Sequence, residues 1–124
     1  MTTIKSESQK FQQKFGRPLP DLYLDICRFE DGLTDDKYST MYGLGTYWGD
    51  DAEFPAYEGL LDVYERNVLD LGTEGFIEFG LRNGVEPWGL DGRTNCFVEA
   101  DSNRRDIRQR FDSFEEWFRA LFRL

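Results

Sequence analysis

The feature that most constrains this chain is the corner Gly-Arg-Pro-Leu-Pro at residues 16–20, which must separate two helices. Gly16 can adopt the left-handed conformation that ends a helix. Pro20 suits the first turn of a following helix, because the N–H that proline lacks would have no intrahelical partner there. The corner therefore predicts one helix that ends at Gly16 and a second helix from about Pro20 to Asp31.

The second helix carries an apolar stripe that we expect to face a core. The stripe consists of Leu22, Ile26 and Phe29 at i, i+4 and i+7, widened by Tyr23 and Cys27. The helix closes with Glu30 and Asp31 before Gly32. Two acids at the negative end of the helix dipole are mildly unfavourable, so helix stability does not explain their presence there.

The middle of the chain mixes strand and helix patterns. The range 37–48 is rich in aromatic and β-favouring residues, and Gly43 and Gly45 interrupt it, so it predicts a strand with a bend. Apolar residues at helical spacing from Gly59 to Leu71 predict a third helix.

The clearest strand pattern follows. Residues 77–82 alternate apolar and polar, and Asn83-Gly84 is typical of a two-residue primed turn. A second such turn is predicted at Asp91-Gly92, before a strand over 93–98. Together these segments predict a three-stranded antiparallel meander.

The last quarter of the chain is predicted to end in a helix. The polar range 99–112 reads as a solvated loop or an exposed helix. Ser113 with Glu116 forms a capping box, and an apolar stripe follows it at Phe114, Trp117, Phe118 and Leu121. We expect one domain over residues 1–124 of class α+β, an antiparallel sheet containing the meander, flanked by N-terminal, middle and C-terminal helices.

Composition excludes several kinds of catalysis. The chain has no histidine, which removes Ser-His-Asp and Cys-His chemistry and the commonest transition-metal ligand. Cys27 and Cys96 are isolated in sequence, so we expect reduced thiols rather than a disulfide or a zinc site. The adjacent acids at 35–36 and 50–51 could bind a divalent cation or act as acid and base, but polar turns favour solvated surface or partner contact. We predict no enzyme activity, no metal and no cofactor.

Three weaker patterns are better explained by local structure. The pair Gly43 and Gly45 lacks the third glycine and the basic residue of a phosphate loop. Asp91, Asn95 and Glu99 lack the glycine that a calcium loop needs at its sixth position. The basic cluster over residues 104–110 has no interleaved aromatics, so pairing with nearby acids is favoured over a nucleic-acid site.

Charge is concentrated in one part of the chain. The net charge is −9, and the range 30–62, hereafter the acidic segment, holds nine acids against Lys37 alone, a net of −8. Such a segment repels nucleic acid and anionic membranes and attracts a basic protein partner.

Aromatic side chains among these acids favour a protein-binding surface. The candidate partner-binding residues are Asp35, Asp36, Tyr47, Trp48, Asp50, Asp51, Glu53, Phe54 and Tyr57. The alternative is that Trp48 and Phe54 belong to the core and the acids only solubilise the protein.

Nothing in the sequence predicts a targeting signal or a membrane span. The first ten residues lack a basic region followed by an apolar run, and no apolar run elsewhere is long enough to cross a bilayer. We therefore expect a cytoplasmic protein.

Several short motifs, taken in order, resemble the SUKH superfamily of SMI/KNR-like proteins. They are Phe15-Gly16, Leu19-Pro20-Asp21-Leu22-Tyr23, Glu30-Asp31-Gly32, Phe79-Gly80, Trp88-Gly89-Leu90-Asp91 and Ser113-Phe114-Glu115-Glu116-Trp117. The likeness spans most of the chain, although Asp31 replaces the usual asparagine and residues 35–75 match no part of the pattern.

The resemblance implies an α+β fold and, for most bacterial members, a role as an immunity protein that binds and blocks a delivered toxin, often a nuclease. It carries no catalytic set over to this chain. We expect a binding protein that occludes a basic toxin domain with the acidic and aromatic surface between Asp35 and Asp62. The open alternatives are a regulatory or scaffold protein of the same fold, and a small enzyme or ligand-binding domain that uses its carboxylates.

Overall fold

The computed structural model describes residues 2–48, 55–71, 75–102 and 106–124, and the architecture below concerns those ranges. The helices are α1 (Thr2–Phe15), α2 (Asp21–Phe29), α3 (Leu60–Leu71) and α4 (Phe114–Phe122). The strands are β1 (Leu33–Thr34), β2 (Thr40–Met41), β3 (Tyr47–Trp48), β4 (Pro55–Tyr57), β5 (Phe76–Arg82), β6 (Glu86–Asp91), β7 (Cys96–Ala100) and β8 (Ile107–Phe111).

The strands form one antiparallel sheet of six in the order β1-β2-β5-β6-β7-β8, and β3 pairs with β4 in a separate antiparallel ribbon. The α+β class and the meander β5-β6-β7 are therefore confirmed, and the sheet is larger than the meander. Helix α1 ends at Phe15, directly before Gly16, whose φ is +70°, and α3 matches the predicted middle helix within one residue.

The two predicted turns of the meander have different outcomes. Asn83 and Gly84 both have positive φ, 56° and 76°, as a primed turn requires, but Arg82 pairs with Glu86, so three residues rather than the predicted two join the strands. The second two-residue turn is wrong, because Asp91 pairs with Cys96 across a four-residue loop that ends in left-handed Asn95. The Asp91 carboxylate accepts hydrogen bonds from the backbone N–H of residue 93 and the hydroxyl of residue 94, which stabilises the wider loop.

The prediction of a loop or helix over residues 99–112 is wrong at its start, where residues 99 and 100 belong to β7, and in its second half. Residues 107–111 form the edge strand β8, in which Phe111 lies opposite Phe97 and Arg110 lies opposite Val98. Its three central side chains are exposed, and only the two ends turn apolar groups inward. Pairing with β7 satisfies one side of the strand's backbone, which explains why so polar a segment is extended.

The core-facing side of α2 includes only part of the predicted stripe, in which Ile26 packs against the core. Tyr23 and Cys27 are buried, whereas Leu22 is exposed and Phe29 is 90% exposed. The Tyr23 ring packs edge-on against Phe79, and its hydroxyl donates to a backbone carbonyl 2.8 Å away. A buried tyrosine needs such an acceptor, so this contact favours the observed face over the fully apolar one.

The predicted single strand over 37–48 is two short strands in different sheets. Strand β2 pairs with β5, and β3 pairs with β4, so the chain turns between residues 42 and 46. Gly43 lies at this bend, where a Cβ atom would come within 2.4 Å of a carboxylate oxygen of Asp31. The predicted bend is therefore the place where the chain passes from the six-stranded sheet to the ribbon of β3 and β4.

Helix α4 covers the core as its apolar pattern predicts. The backbone N–H of Glu116 donates to the Ser113 hydroxyl at 3.1 Å, so Ser113 caps the helix. Phe114, Trp117 and Leu121 are buried, and the Trp117 indole N–H donates to the carbonyl of Val98 at 3.2 Å. This contact ties α4 to strand β7 of the sheet.

Candidate functional site

The Asp31 carboxylate joins the end of α2 to the loop before β3. It accepts hydrogen bonds from the backbone N–H groups of Leu44 at 2.6 Å and Gly45 at 3.0 Å, and from the Tyr47 hydroxyl at 2.8 Å. Three donors offset the unfavourable position of an acid at a helix C-terminus. Asp31 was not among the predicted site residues; its unexplained charge at the end of α2 was the signal that could have identified it.

Tyr47 is held in place by this contact while its ring stays accessible. The side chain is 40% exposed. The pKa of its phenol is raised, first because the neutral hydroxyl donates to Asp31, and further by partial burial and by the carboxylate's charge. The predicted partner-binding role of Tyr47 thus falls on an exposed ring whose hydroxyl is fixed by Asp31, an arrangement suited to an aromatic anchor.

Two grooves meet at Tyr47. The first, about 790 Å³ in volume, lies along α1 and α2 and is called the helix groove; its lining includes Ile4, Lys5, Leu24, Arg28, Phe29 and Tyr47. The second, about 820 Å³, is called the strand groove; its lining includes Glu30, Thr34, Thr40, Tyr47, Glu58 and Arg66. Asp31 and Tyr47 contribute to both, and the exposed ring of Tyr47 forms the ridge between them.

The strand groove collects charges that lie far apart in sequence. Glu30 begins the acidic segment, and Glu58 is close to its end, just before α3. The Arg66 guanidinium donates to the Glu58 carboxylate inside this groove. None of these three residues was predicted as a site residue, because only the folded chain brings them together.

Asp35 and Asp36 have separate roles in the turn between β1 and β2. The Asp35 carboxylate accepts from the backbone N–H of Lys37 at 2.9 Å and of Ser39 at 2.8 Å, so it stabilises the turn. Asp36 is exposed. Neither side chain belongs to the lining of the strand groove or the helix groove, so the structure does not join them to Tyr47.

The other predicted contact residues are described only in part. Asp50, Asp51, Glu53 and Phe54 lie outside the described residues. Trp48 and Tyr57 contribute their backbone to β3 and β4, where Tyr47 pairs with Tyr57 and Trp48 pairs with Pro55. This pairing places residues 48 and 55, which flank the range 49–54, next to each other.

The basic cluster is on the opposite edge of the sheet from β1. Arg108 and Arg110 extend from the edge strand β8, and the Arg108 guanidinium lies 4.0 Å from the Glu99 carboxylate. This contact matches the expectation that the cluster pairs with nearby acids. Arg104 and Arg105 lie outside the described residues. Charged side chains on an edge strand also discourage pairing with other chains.

The two thiols differ in environment. Cys27 is buried at the floor of the helix groove, and burial raises the pKa of its thiol to about 12, with smaller effects from nearby polar groups. Cys96 is half-buried on β7. Neither of them is in a disulfide.

Within the described ranges, no group of three or more cysteine or acidic side chains is arranged to hold a metal ion. None of the helices in those ranges is long and apolar enough to cross a membrane. Comparison of the chain with protein-family models, curated proteins and solved structures found no match.

Proposed function

We propose that this chain is an immunity protein that binds a cognate bacterial toxin and neutralises it by occlusion in the cytoplasm of the cell that makes it. The proposal begins from the resemblance of its motifs to the SUKH superfamily. The observation that carries it is the acidic segment, whose net charge is −8 and whose two ends meet beside an exposed aromatic ring. The partner is expected to be a basic toxin domain, for example a nuclease.

The physical basis is that charge and apolar area affect different rates of binding. Glu30 and Glu58 lie at the same groove as Tyr47, so a positive surface is attracted to the place where a ring is ready to be buried. Long-range attraction raises the association rate, and burial of the aromatic ring lowers the dissociation rate. Occlusion of this kind needs no catalytic residue, no metal and no cofactor, and the same charge disfavours nucleic acid as the direct ligand.

The first test is capture of the partner followed by a growth assay. The tagged protein is used to capture partners from its source cell at low salt, and bound proteins are released at high salt and identified. A captured toxin domain is then produced in a test strain, where it should stop growth. Production of this chain should restore growth. Capture of host regulators alone, with no growth effect to relieve, would contradict the proposal and favour the regulatory reading.

The second test measures association kinetics with the captured domain. Replacing Asp50 and Asp51 with lysine should slow association about tenfold or more at low salt and reduce its dependence on salt. The matched control replaces Asp25 and Glu115, exposed acids outside the segment, which gives the same change in net charge. Equal effects of the two double variants would show that total charge, rather than the acidic segment, controls association.

A further inference from the structure

The strand groove contains an ion pair that indicates what it can bind. The Arg66 guanidinium already contacts the Glu58 carboxylate within the groove, so a guanidinium fits there. The Glu58 side chain is 27% exposed and that of Arg66 is 47% exposed. Partly exposed pairs contribute little to stability, so an arriving guanidinium can take the place of Arg66 at small cost.

The remaining charge of the groove also favours a cation. Glu30 is exposed at the groove, and no described basic side chain forms an ion pair with it. Asp31 adds a negative charge, although its oxygens are occupied by Leu44, Gly45 and Tyr47. A basic side chain is therefore attracted, whereas an anionic ligand is repelled.

The groove also runs beside an open edge of the sheet. Strand β1 is the last strand in its order, and no described strand lies on its outer side. The backbone N–H of Asp35 donates to the carbonyl of Ser39 at 2.9 Å. Because hydrogen-bonded and non-hydrogen-bonded pairs alternate between antiparallel strands, Thr34 directs its backbone N–H and C=O away from β2. These groups can pair with an extended peptide.

We propose that the strand groove binds an extended, arginine-bearing segment of a protein partner, whose guanidinium replaces Arg66 on Glu58 while its backbone pairs with Thr34. This inference rests on the proposed function in that the segment belongs to the toxin domain, and it adds the chemistry of the contact. Arg66 then acts as an internal competitor that fills the site until the partner arrives. The volume of the strand groove, about 820 Å³, is within the range of sites that hold small ligands or short peptides.

The test uses a peptide probe and does not depend on a toxin. The isotopically labelled protein is titrated with the blocked tripeptide acetyl-Thr-Arg-Thr-amide, and amide shifts are followed by NMR. A second peptide carries citrulline, which has the same shape as arginine without the charge. We expect saturable shifts at Thr34, Glu58 and Arg66 with the arginine peptide, and at least about fivefold weaker binding of the citrulline peptide.

Variants separate competition from general charge effects. Glu58→Gln should abolish the shifts in the groove. Arg66→Gln should tighten binding by up to about fivefold, because the internal competitor is gone. Arg119→Gln is the matched control: Arg119 pairs with Glu115 on α4, so its loss changes net charge equally and should leave peptide affinity unchanged.

The outcomes distinguish this inference from the proposed function. Absence of shifts in the groove, equal binding of both peptides, or equal effects of Arg66→Gln and Arg119→Gln would overturn the groove assignment even if a toxin is captured. Saturable, arginine-specific shifts that Arg66→Gln strengthens would support it. That result would stand even if the growth assay fails, in which case only the identity of the partner is wrong.

Discussion

The Tyr47 hydroxyl donates a 2.8 Å hydrogen bond to the carboxylate of Asp31, sixteen residues earlier in the chain. The same carboxylate accepts two backbone N–H groups, from Leu44 and Gly45. One side chain thus fixes both the path of the loop and the direction of the exposed ring. We infer that Asp31 supports the proposed binding surface mainly by positioning Tyr47.

Replacing Asp31 with alanine should lower the free energy of unfolding by about 2–3 kcal/mol, because three donors lose their acceptor in a half-buried site. Tyr47→Phe should cost about 0.5–1.5 kcal/mol, and the double variant should reveal a coupling energy of similar size. Urea unfolding of the four proteins measures these quantities. Asp25→Ala, which removes an exposed acid on α2, is the control and should change stability by less than about 0.5 kcal/mol. If Asp31→Ala lowers the free energy of unfolding no more than Asp25→Ala does, the anchoring role is contradicted.

The same contact predicts a loss of stability in alkali. The ordinary tyrosine pKa is 10.0, and in the folded protein that of Tyr47 is higher because its neutral hydroxyl donates to Asp31. A raised folded pKa means that the unfolded chain loses its proton first, so the stabilisation is complete below about pH 10 and is lost as pH rises through the folded pKa. Urea unfolding at about pH 8 and about pH 11 should show that the free energy of unfolding falls less between these pH values for Tyr47→Phe than for the wild type. Equal losses would show that other groups, such as Tyr23 and Cys27, account for the alkaline effect.

Gly43 provides a test of how closely the loop approaches the turn after α2. A Cβ atom at Gly43 would lie 2.4 Å from Asp31 Oδ1 and 2.5 Å from the Asp31 backbone carbon, which cannot move aside. Gly43→Ala should therefore destabilise the fold by about 2–4 kcal/mol. Gly75→Ala is the matched control, because a Cβ atom there would meet nothing closer than 3.9 Å. Thermal or urea unfolding of both variants checks the difference, and equal stabilities would contradict the close approach.

Local sequence patterns predicted what depends on near neighbours. The positive φ angles at Asn83 and Gly84 and the N-cap at Ser113 depend on residues at most three positions apart, and both are present. The face of α2 was predicted only in part, because Leu22 and Phe29 are exposed although the rest of the predicted stripe packs against the core. The choice of face depends on the carbonyl of Tyr42, nineteen residues beyond Tyr23.

Contacts between distant residues explain the other failures. Strand β8 is polar along most of its length, and its extended form depends on pairing with β7. The strand groove likewise depends on Glu30, Glu58 and Arg66 meeting in space, and no spacing in the sequence predicts that meeting. Of the predicted site residues, Tyr47 lies at the grooves, whereas Asp35 serves the turn between β1 and β2.

The ring of Tyr47, rather than its hydroxyl, should carry the binding energy in the proposed complex. Tyr47→Ala removes the ring from the ridge between the two grooves and should weaken binding of the captured toxin domain by about 2 kcal/mol, roughly thirtyfold, mostly through faster dissociation. Tyr47→Phe keeps the ring and should weaken binding only a few fold, through looser orientation. Surface plasmon resonance measures both rates for each variant.

Val85→Ala is the control for this measurement, because Val85 is an exposed apolar residue in the turn between β5 and β6 and belongs to neither groove. It should leave the affinity unchanged. Circular dichroism and urea unfolding establish that each variant is folded under the binding conditions. If folded Tyr47→Ala binds as tightly as the wild type, the ridge between the grooves is not the contact. The partner-binding surface would then have to be sought among the other exposed residues of the acidic segment, beginning with Asp36.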